Sequence, residues 1–155
     1  MVLRLLKSIL TIGGLCICAC TYAQVSLIKD GKIKTRVILK DDAWNNRVSA
    51  TIFQNFIQKI GGKTLPVVVN QTPRKGDILI GGQTPQTVTE DGFSISTQNG
   101  ILRISGKEKG VVYGVVTLLE QYLGVDYWGE NEYSFTPQKT VISVSYTHLT
   151  LPTTS

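Results

Sequence analysis

Two glutamates in an aromatic setting are the residues of this chain whose type and spacing best suit hydrolytic chemistry. Glu130 and Glu132 stand two positions apart in a polar segment. Because alternate side chains of an extended segment point to the same side, the two carboxylates could act together. Paired carboxylates carry out glycoside hydrolysis. A close pair in a polar segment is more often simply solvated, and we favour that interpretation here.

Four aromatic side chains are candidates for stacking against sugar rings: Trp44, Tyr127, Trp128 and Tyr133. Trp44 opens a predicted helix, and Trp128 ends a predicted strand beside the polar segment. The alternative, which we favour, is that these rings close the ends of the core or meet another domain. The candidate sugar-contact or domain-interface residues are therefore Trp128, Glu130, Glu132 and Tyr133.

Other site chemistry is poorly represented, and we predict neither a metal nor a cofactor. Asp41 and Asp42 suit a helix N-cap better than a metal site. The Gly-Gly pairs at 61 and 81 lack the spacing of a phosphate-binding loop. The only histidine, His148, lies close to the C-terminus, in a segment of unusual composition. No Ser-His-Asp set or histidine cluster is expected once His148 is set aside.

The N-terminus has the parts of a bacterial export signal in the right order. Arg4 and Lys7 form a basic start, an uncharged apolar run covers residues 8–20, and Ala23 ends a cleavage-like site. The run is too short to span a bilayer comfortably. We expect residues 1–23 to be a signal peptide, with Gln24 as the new N-terminus of a periplasmic, extracellular or outer-membrane protein of a Gram-negative bacterium.

All three cysteines, Cys16, Cys18 and Cys20, lie within this signal. The mature chain is therefore expected to have no disulfide, zinc-thiolate site or cysteine nucleophile. Residues 17–20 also resemble a lipobox with Cys20 as the lipidated residue, although Ile17 stands where leucine is more usual. Membrane attachment is expected only if Cys20 is lipidated.

The whole chain carries a formal net charge of +5, and removing Arg4 and Lys7 leaves it mildly basic. Its lysines and arginines are scattered instead of clustered with aromatic residues. Scattered charge is typical of a solvated surface, so nucleic acid is not an expected partner.

The last twelve residues, 144–155, resemble a translated sequencing-adapter tail. They carry no charge, and four of the last nine residues are threonine. We expect an artefact in preference to a native threonine-rich terminus. The domain would then cover residues 24–143, His148 would not belong to it, and the native gene would continue beyond this point.

The pattern of the remaining chain predicts an α+β fold: a mixed, mostly antiparallel sheet with two helices on one face. Strands are expected at 34–40, 66–69, 77–80, 125–128 and 140–143. Apolar residues at helical spacing predict one helix from about 43 to a Gly-Gly stop at 61, with a stripe of Val48, Ile52, Phe56 and Ile60 that Phe53 and Ile57 widen. They predict another helix over 107–123, in which Gly110 and Gly114 would let the backbone pack closely against a sheet. Asn99-Gly100, between two alternating runs, predicts a hairpin with a type I′ turn.

Residues 110–128 (GVVYGVVTLLEQYLGVDYW) resemble the end of the small N-terminal domain of α-glucuronidases and β-hexosaminidases. The closest resemblance is to secreted proteins that join an α-glucuronidase-like N-terminal domain to a domain of unknown function, DUF4838. Their pattern is G-x-x-Y-G-x-x-x-L-E-x-x-L-G-V-x-W. The earlier "L-P-V", "D-I-L-I-G" and "D-G-F-x-I" motifs also fit, so the resemblance covers residues 35–142.

The resemblance implies a hexosaminidase domain-2-like fold and a role in processing polysaccharides or glycoconjugates. In the family the catalytic residues lie in a following (β/α)8 barrel of about 250 residues. This chain has no room for one, so no catalytic residue is carried over. The expected partners are that missing C-terminal barrel, in the same native chain, and a carbohydrate substrate. The loop after Trp128 faces the barrel in the family, which gives Glu130 and Glu132 an interface or cleft-edge role.

The leading hypothesis is thus a truncated, non-catalytic accessory domain of an exported glycoside-hydrolase-like enzyme. The parent protein would be the enzyme, and this chain would be inactive. The alternatives are a stand-alone carbohydrate-binding module and a cell-surface interaction module.

Overall fold

The structure, a computed structural model, describes residues 24–129, 132–137, 141–145 and 148–151. For residues 24, 127–129, 141–145 and 148–151 it gives the backbone course alone. The described residues form two helices, α1 (Trp44–Gly61) and α2 (Gly110–Leu123), and eleven strands: β1 (Gln24–Lys29), β2 (Lys32–Ile33), β3 (Val37–Leu39), β4 (Val67–Val69), β5 (Ile78–Ile80), β6 (Phe93–Gln98), β7 (Ile101–Gly106), β8 (Val125–Gly129), β9 (Glu132–Phe135), β10 (Val141–Ser145) and β11 (His148–Leu151).

The central sheet has six strands in the order β11-β6-β7-β5-β3-β4. Strands β4, β3, β5 and β7 run parallel to one another. Strand β6 pairs antiparallel with both of its neighbours, β7 and β11. Two smaller sheets, β10-β1-β2 and β8-β9, are wholly antiparallel. Both helices pack against each other and against one face of the central sheet. The predicted α+β fold is confirmed, since antiparallel pairings are the majority overall.

Helix α1 buries one face against the sheet through Phe53, Ile57 and Ile60, each at most 2% exposed. Val48 and Ile52, which the sequence placed in the centre of the apolar stripe, are only partly buried at its edge. Gly62 ends the helix in the left-handed conformation, with φ of 65°. The predicted stop at the Gly-Gly pair is therefore confirmed.

The predicted capping role of Asp41 and Asp42 is wrong. The N-cap residue is Ala43, which has no side chain able to cap, and no side-chain cap bond is present. Instead Asp41 Oδ1 accepts hydrogen bonds from the Ala43 backbone N–H, at 3.0 Å, and from Asn46 Nδ2, at 2.7 Å. Asp42 forms an exposed ion pair with Arg47 at 3.5 Å. The aspartates therefore bond to the residue before the helix and to side chains of the first turn, and they do not cap the backbone N–H groups of that turn.

Helix α2 lies unusually close to the sheet because of two glycines. A Cβ atom at Gly114 would lie 2.9 Å from Ile104 Cγ2, and one at Gly110 would clash with the Gly92 carbonyl. Both glycines are buried. The sequence-based expectation that this pair allows close helix-to-sheet packing is confirmed, and the contact compensates the poor helix propensity of glycine.

The hairpin β6–β7 also forms as predicted. Asn99 and Gly100 have φ of 54° and 72°, the positive values that its two-residue turn requires. Strands β1, β2, β9 and β11 were not predicted. The sequence contains a signal for β9, because Tyr133 and Phe135 alternate with the polar residues Glu132 and Ser134. In the structure the two aromatic residues are partly buried and the two polar residues are exposed.

Part of the C-terminal segment lies at the edge of the central sheet. Strand β11 pairs antiparallel with β6, and Leu149 stands opposite Ile95. The predicted last strand, 140–143, is observed as Val141–Ser145 and pairs with β1. The domain boundary at 143 and the artefact origin of 144–155 stay predictions.

Candidate binding groove

A groove of about 550 Å³ lies on the face of the central sheet opposite the helices. This volume is typical of small-molecule sites, which measure about 300–1,000 Å³. Lys40, Asn70 and Gly81 follow β3, β4 and β5 directly. Because these strands are parallel, their carboxyl ends meet at one edge, where ligands commonly bind in open sheets. The three residues form that rim of the groove.

The floor of the groove comes from the hairpin. Strand β6 alternates Phe93 and Ile95, which face the helices, with Ser94 and Ser96, which line the groove. In register, Ser94 stands opposite Ser105 of β7. Short hydroxyl side chains at these positions leave the space that larger residues would fill. The same alternation that forms an amphipathic hairpin therefore also makes the groove.

One row of paired residues on this face of the sheet changes from apolar to polar, and its members Leu79, Arg103 and Ser96 line the groove. Ile38 pairs with Leu79, Leu79 with Arg103, and Arg103 with Ser96. Ile38 and Leu79 are buried. Arg103 thus stands at the boundary between an apolar half and a hydroxyl-rich half. Such a mixed surface suits a ligand that has both C–H faces and hydroxyl groups.

Arg103 supplies the most unusual polar atom of the groove. Its Nε atom is buried and has no hydrogen-bond partner among the described residues. Leaving a buried donor unpaired costs about 1–3 kcal/mol, and native structures keep such groups rare. Lys40 is the second cation of the lining, and none of the described lining residues is a carboxylate or a histidine. The groove can therefore bind a ligand, but these residues provide no general acid–base pair.

An ion pair positions the loop that forms another rim. Asp77 is 5% exposed. It accepts hydrogen bonds from Arg36 Nε at 3.2 Å, from Arg36 Nη2 at 2.7 Å and from the Arg74 backbone N–H at 2.8 Å. Arg36 Nη1 also donates to Gln71 Oε1 at 3.0 Å. These bonds connect both ends of the 70–77 loop to Arg36, the residue before β3, and to Asp77, the residue before β5.

The electrostatics of this pair follow from its contacts. Burial raises the pKa of Asp77, but the hydrogen bonds from Arg36 and from the Arg74 backbone outweigh it, so the pKa lies below its usual value. The same hydrogen bond with Asp77 raises the pKa of Arg36. Both groups are charged at neutral pH and neutralise each other beside the groove.

The sequence-predicted site residues lie elsewhere. Tyr133 is partly buried, with its ring edge-on to Phe56 at 5.1 Å and stacked on Phe135 at 6.3 Å. Its hydroxyl accepts a hydrogen bond from Lys59, which also lies over the ring. Tyr133 therefore fastens the β8–β9 hairpin to α1. A sugar contact by this ring stays a prediction.

The other members of that set are placed only in part. Glu132 is exposed on β9, in register with Gly129. Trp128 lies in β8 at an irregularity between Tyr127 and Gly129, where the backbone alone is described. Glu130, and the predicted lipidation residue Cys20, lie outside the described residues. Their predicted roles are therefore not tested.

Trp44 does not join these aromatic residues. Its side chain is 72% exposed at the start of α1. Tyr133 contacts α1 at Phe56, twelve residues further on, which corresponds to roughly 18 Å along a helix. Trp44 instead borders Val48 and Ile52 in a shallow, mainly apolar depression. The structure therefore gives no single aromatic platform that includes both Trp44 and Tyr133.

Two features are absent from the described part of the chain: a helix that could span a membrane and a cluster of side chains that could hold a metal ion. None of its helices is both long and apolar enough to cross a membrane. Over the same residues, no group of three or more histidine, cysteine, aspartate or glutamate side chains is arranged to hold a metal ion.

The fold occurs in longer carbohydrate-processing enzymes. A mutant β-hexosaminidase of Streptomyces plicatus, solved with its product GlcNAc, matches with a TM-score of 0.56 and 14% identity, over 83% of this chain and 23% of that chain. The GH20 β-N-acetylhexosaminidase of Streptomyces coelicolor matches with a TM-score of 0.58 and 18% identity, over the same shares. At such identities the likeness shows the fold alone. This chain spans less than a quarter of the length of those enzymes.

No family model matches the chain, and no curated protein matches it either. The class of protein is thus defined by fold: a domain with the α+β architecture found in part of GH20 hexosaminidases.

The groove residues were missed by sequence reasoning. In the sequence, Arg103 and the serines look like the polar half of an amphipathic hairpin. Arg36 looks like one of several scattered cations. One signal was available. Three outward positions of β6 and β7, Ser94, Ser96 and Ser105, carry small hydroxyl groups instead of the long charged side chains usual on a solvated strand.

Proposed function

We propose that this chain is a non-catalytic accessory domain of an exported, glycoside-hydrolase-like protein that acts on a polysaccharide or glycoconjugate. The single observation that carries the proposal is the fold, which makes up 23% of the chain in solved β-hexosaminidases. The groove supports an accessory role, because its described lining offers binding groups without a carboxylate or histidine.

The parent chain is proposed to continue into a catalytic (β/α)8 barrel. Within this proposal the finer assignment is the α-glucuronidase-like branch with DUF4838, for which the G-x-x-Y-G pattern at 110–114 is the supporting feature. Sequencing the native gene beyond codon 143 tests both statements. An in-frame barrel is expected, and its type decides the branch. A native stop codon near codon 143 would overturn the proposal.

Export completes the proposal. The order of basic start, apolar run and small-residue cleavage site over residues 1–23 supports secretion. The location is then the periplasm, the extracellular space or, with lipid on Cys20, the outer membrane. Fractionation of a Gram-negative host that produces the chain, followed by mass spectrometry of the chain from each fraction and from the medium, distinguishes these outcomes. A full-length chain that keeps Met1 in the cytoplasm would contradict export.

A stand-alone carbohydrate-binding or cell-surface interaction module is the second candidate function. The observation that favours it is the groove itself, whose rim and floor carry serine, asparagine and glutamine side chains able both to donate and to accept hydrogen bonds. A native stop codon together with oligosaccharide binding would favour this module. Failure to bind any oligosaccharide at millimolar concentration would count against it.

A further inference from the structure

We propose that the groove binds an anionic saccharide, with the Arg103 guanidinium contacting the carboxylate or sulfate group of the sugar. The inference deepens the proposed function by naming a ligand class, and it rests on that function only for taking the ligand to be a saccharide.

The groove has an uncompensated positive charge. Lys40 and Arg103 line it, and no aspartate or glutamate is among the described lining residues. Among the described residues Asp77 is the one buried carboxylate, and it is already paired with Arg36 at 2.7 Å. Because that pair is neutral overall, it does not cancel the charge of Arg103. An anionic group is the ligand that this imbalance favours.

Arg103 is prepared to make directional bonds. Its Nε donor is buried without a partner in the described part of the chain. The flanking residues in register are Leu79 and Ser96, neither of which carries a charge. A guanidinium fork in this position matches the two oxygens of a carboxylate or sulfate, which it binds through parallel hydrogen bonds.

The remaining lining suits the rest of a sugar. Ser94, Ser96 and Ser105 line the floor, and Gln71 and Asn70 line the rim. Hydroxyl and amide groups can both donate and accept, as sugar hydroxyls require. Leu79 and the loop prolines provide apolar surface for the C–H face of the ring. A free inorganic anion would leave these groups unused.

Nucleic acid fits this groove poorly. Binding of single strands generally uses aromatic side chains as platforms for the bases. None of the described groove residues is aromatic. The exposed Trp44 lies on α1, on the helix-covered side of the sheet. The groove therefore offers charge without a stacking surface.

The test is calorimetric titration of the full chain with five probes: tetragalacturonic acid, its neutral methyl ester, a sulfated κ-carrageenan tetrasaccharide, inorganic phosphate and a short oligothymidylate. The acid or the sulfated sugar, or both, should bind, and comparison of the two identifies the source of the anion. The ester should bind about tenfold more weakly than the acid, since it loses a charge-assisted hydrogen bond. If the acid binds, an equal affinity of its methyl ester would overturn the inference.

Variants locate the site. Arg103→Gln should raise the Kd of the anionic sugar about tenfold or more, and Arg103→Lys should retain part of the affinity. Arg47→Gln is the matched control, because Arg47 is an exposed cation on α1 outside the groove. If Arg103→Gln does not fold, Lys40→Gln at the exposed rim should still raise the Kd about two- to fivefold. Unchanged affinity in a folded groove variant would overturn the inference.

Two other results would also overturn it: phosphate or a short oligothymidylate binding more tightly than either anionic sugar, or no binding by any sugar. Neither result bears on the accessory-domain proposal, which depends on the gene sequence beyond codon 143. The failure of one proposal is therefore distinguishable from the failure of the other.

Discussion

Arg36 and Asp77 stand 41 positions apart in the chain, yet their side chains meet in a two-pronged ion pair beside the groove, with nitrogen–oxygen distances of 2.7 and 3.2 Å. The pair joins the starts of two neighbouring parallel strands, β3 and β5. It also holds Gln71, a rim residue, through Arg36 Nη1. The stability of the fold and the shape of the groove are therefore connected through these two residues.

Asp77→Asn is expected to destabilise the protein. The substitution removes the charged acceptor and leaves buried donors imperfectly paired, a change that typically costs about 1–3 kcal/mol. Urea unfolding of the variant and the wild type measures the difference. The control is Asp42→Asn, which removes an exposed ion pair with Arg47 and should change the free energy of unfolding by less than about 0.5 kcal/mol. Equal effects of the two substitutions would contradict a structural role for the Asp77 pair.

The same pair predicts a specific pH dependence. Because the pKa of Asp77 is lowered in the folded state, its contribution to stability is fully present above the usual aspartate pKa of about 3.9. The contribution is lost as the pH falls below that value and through the folded-state pKa. The difference in unfolding free energy between wild type and Asp77→Asn should therefore be constant near neutrality and shrink in acid. A difference that grows on acidification would show the opposite sign of shift.

Gly114→Ala tests the close approach of helix α2 to the sheet. Alanine is the better helix former by about 1 kcal/mol, so propensity alone predicts stabilisation. The new methyl group would lie 2.9 Å from Ile104 Cγ2 and 3.3 Å from Phe93 Cδ2, in a buried region. Overpacking of this kind costs about 1–3 kcal/mol, so we expect a net loss of stability. Thermal unfolding, with the exposed-site variant Glu120→Ala as control, decides the sign.

Tyr133 provides a test of structural against ligand-binding roles. Tyr133→Ala should cost about 1–3 kcal/mol, because its partly buried ring packs on Phe56 and Phe135. Tyr133→Phe keeps the ring contacts and loses only the hydroxyl that accepts from Lys59, so it should cost about 1 kcal/mol or less. Chemical unfolding measures both variants. A folded Tyr133→Phe protein with lost sugar affinity would instead place the hydroxyl in a sugar site.

Processing of the N-terminus is the fifth expectation to be checked. A chain produced with residues 1–155 in a Gram-negative host should yield a mature protein that begins at Gln24, and Cys20→Ala should leave that mass unchanged. Intact-mass spectrometry makes the measurement. A diacylated N-terminus at Cys20, abolished by Cys20→Ala, would show that the lipobox-like residues act as an anchor signal.

Several features could be predicted from the sequence because they depend on neighbouring residues. The Asn99-Gly100 turn follows from the positive φ values that these two residues tolerate. Helix α1 follows from periodic apolar residues and a Gly-Gly stop, and the close packing of α2 from Gly110 and Gly114. Strand β9 was missed because its alternating segment has only four residues, and the sequence around it was interpreted as a polar loop.

Only the tertiary structure decided the groove. Lys40 and Arg103 belong to distant segments, and they share one lining because β3, β5 and β7 are parallel neighbours. The sequence by itself determined that β6 and β7 each have one apolar and one polar face. It did not determine which loops border the polar face or that the Arg103 Nε is buried there. Strand order depends on contacts between residues far apart in the chain, and no local preference of the backbone encodes it.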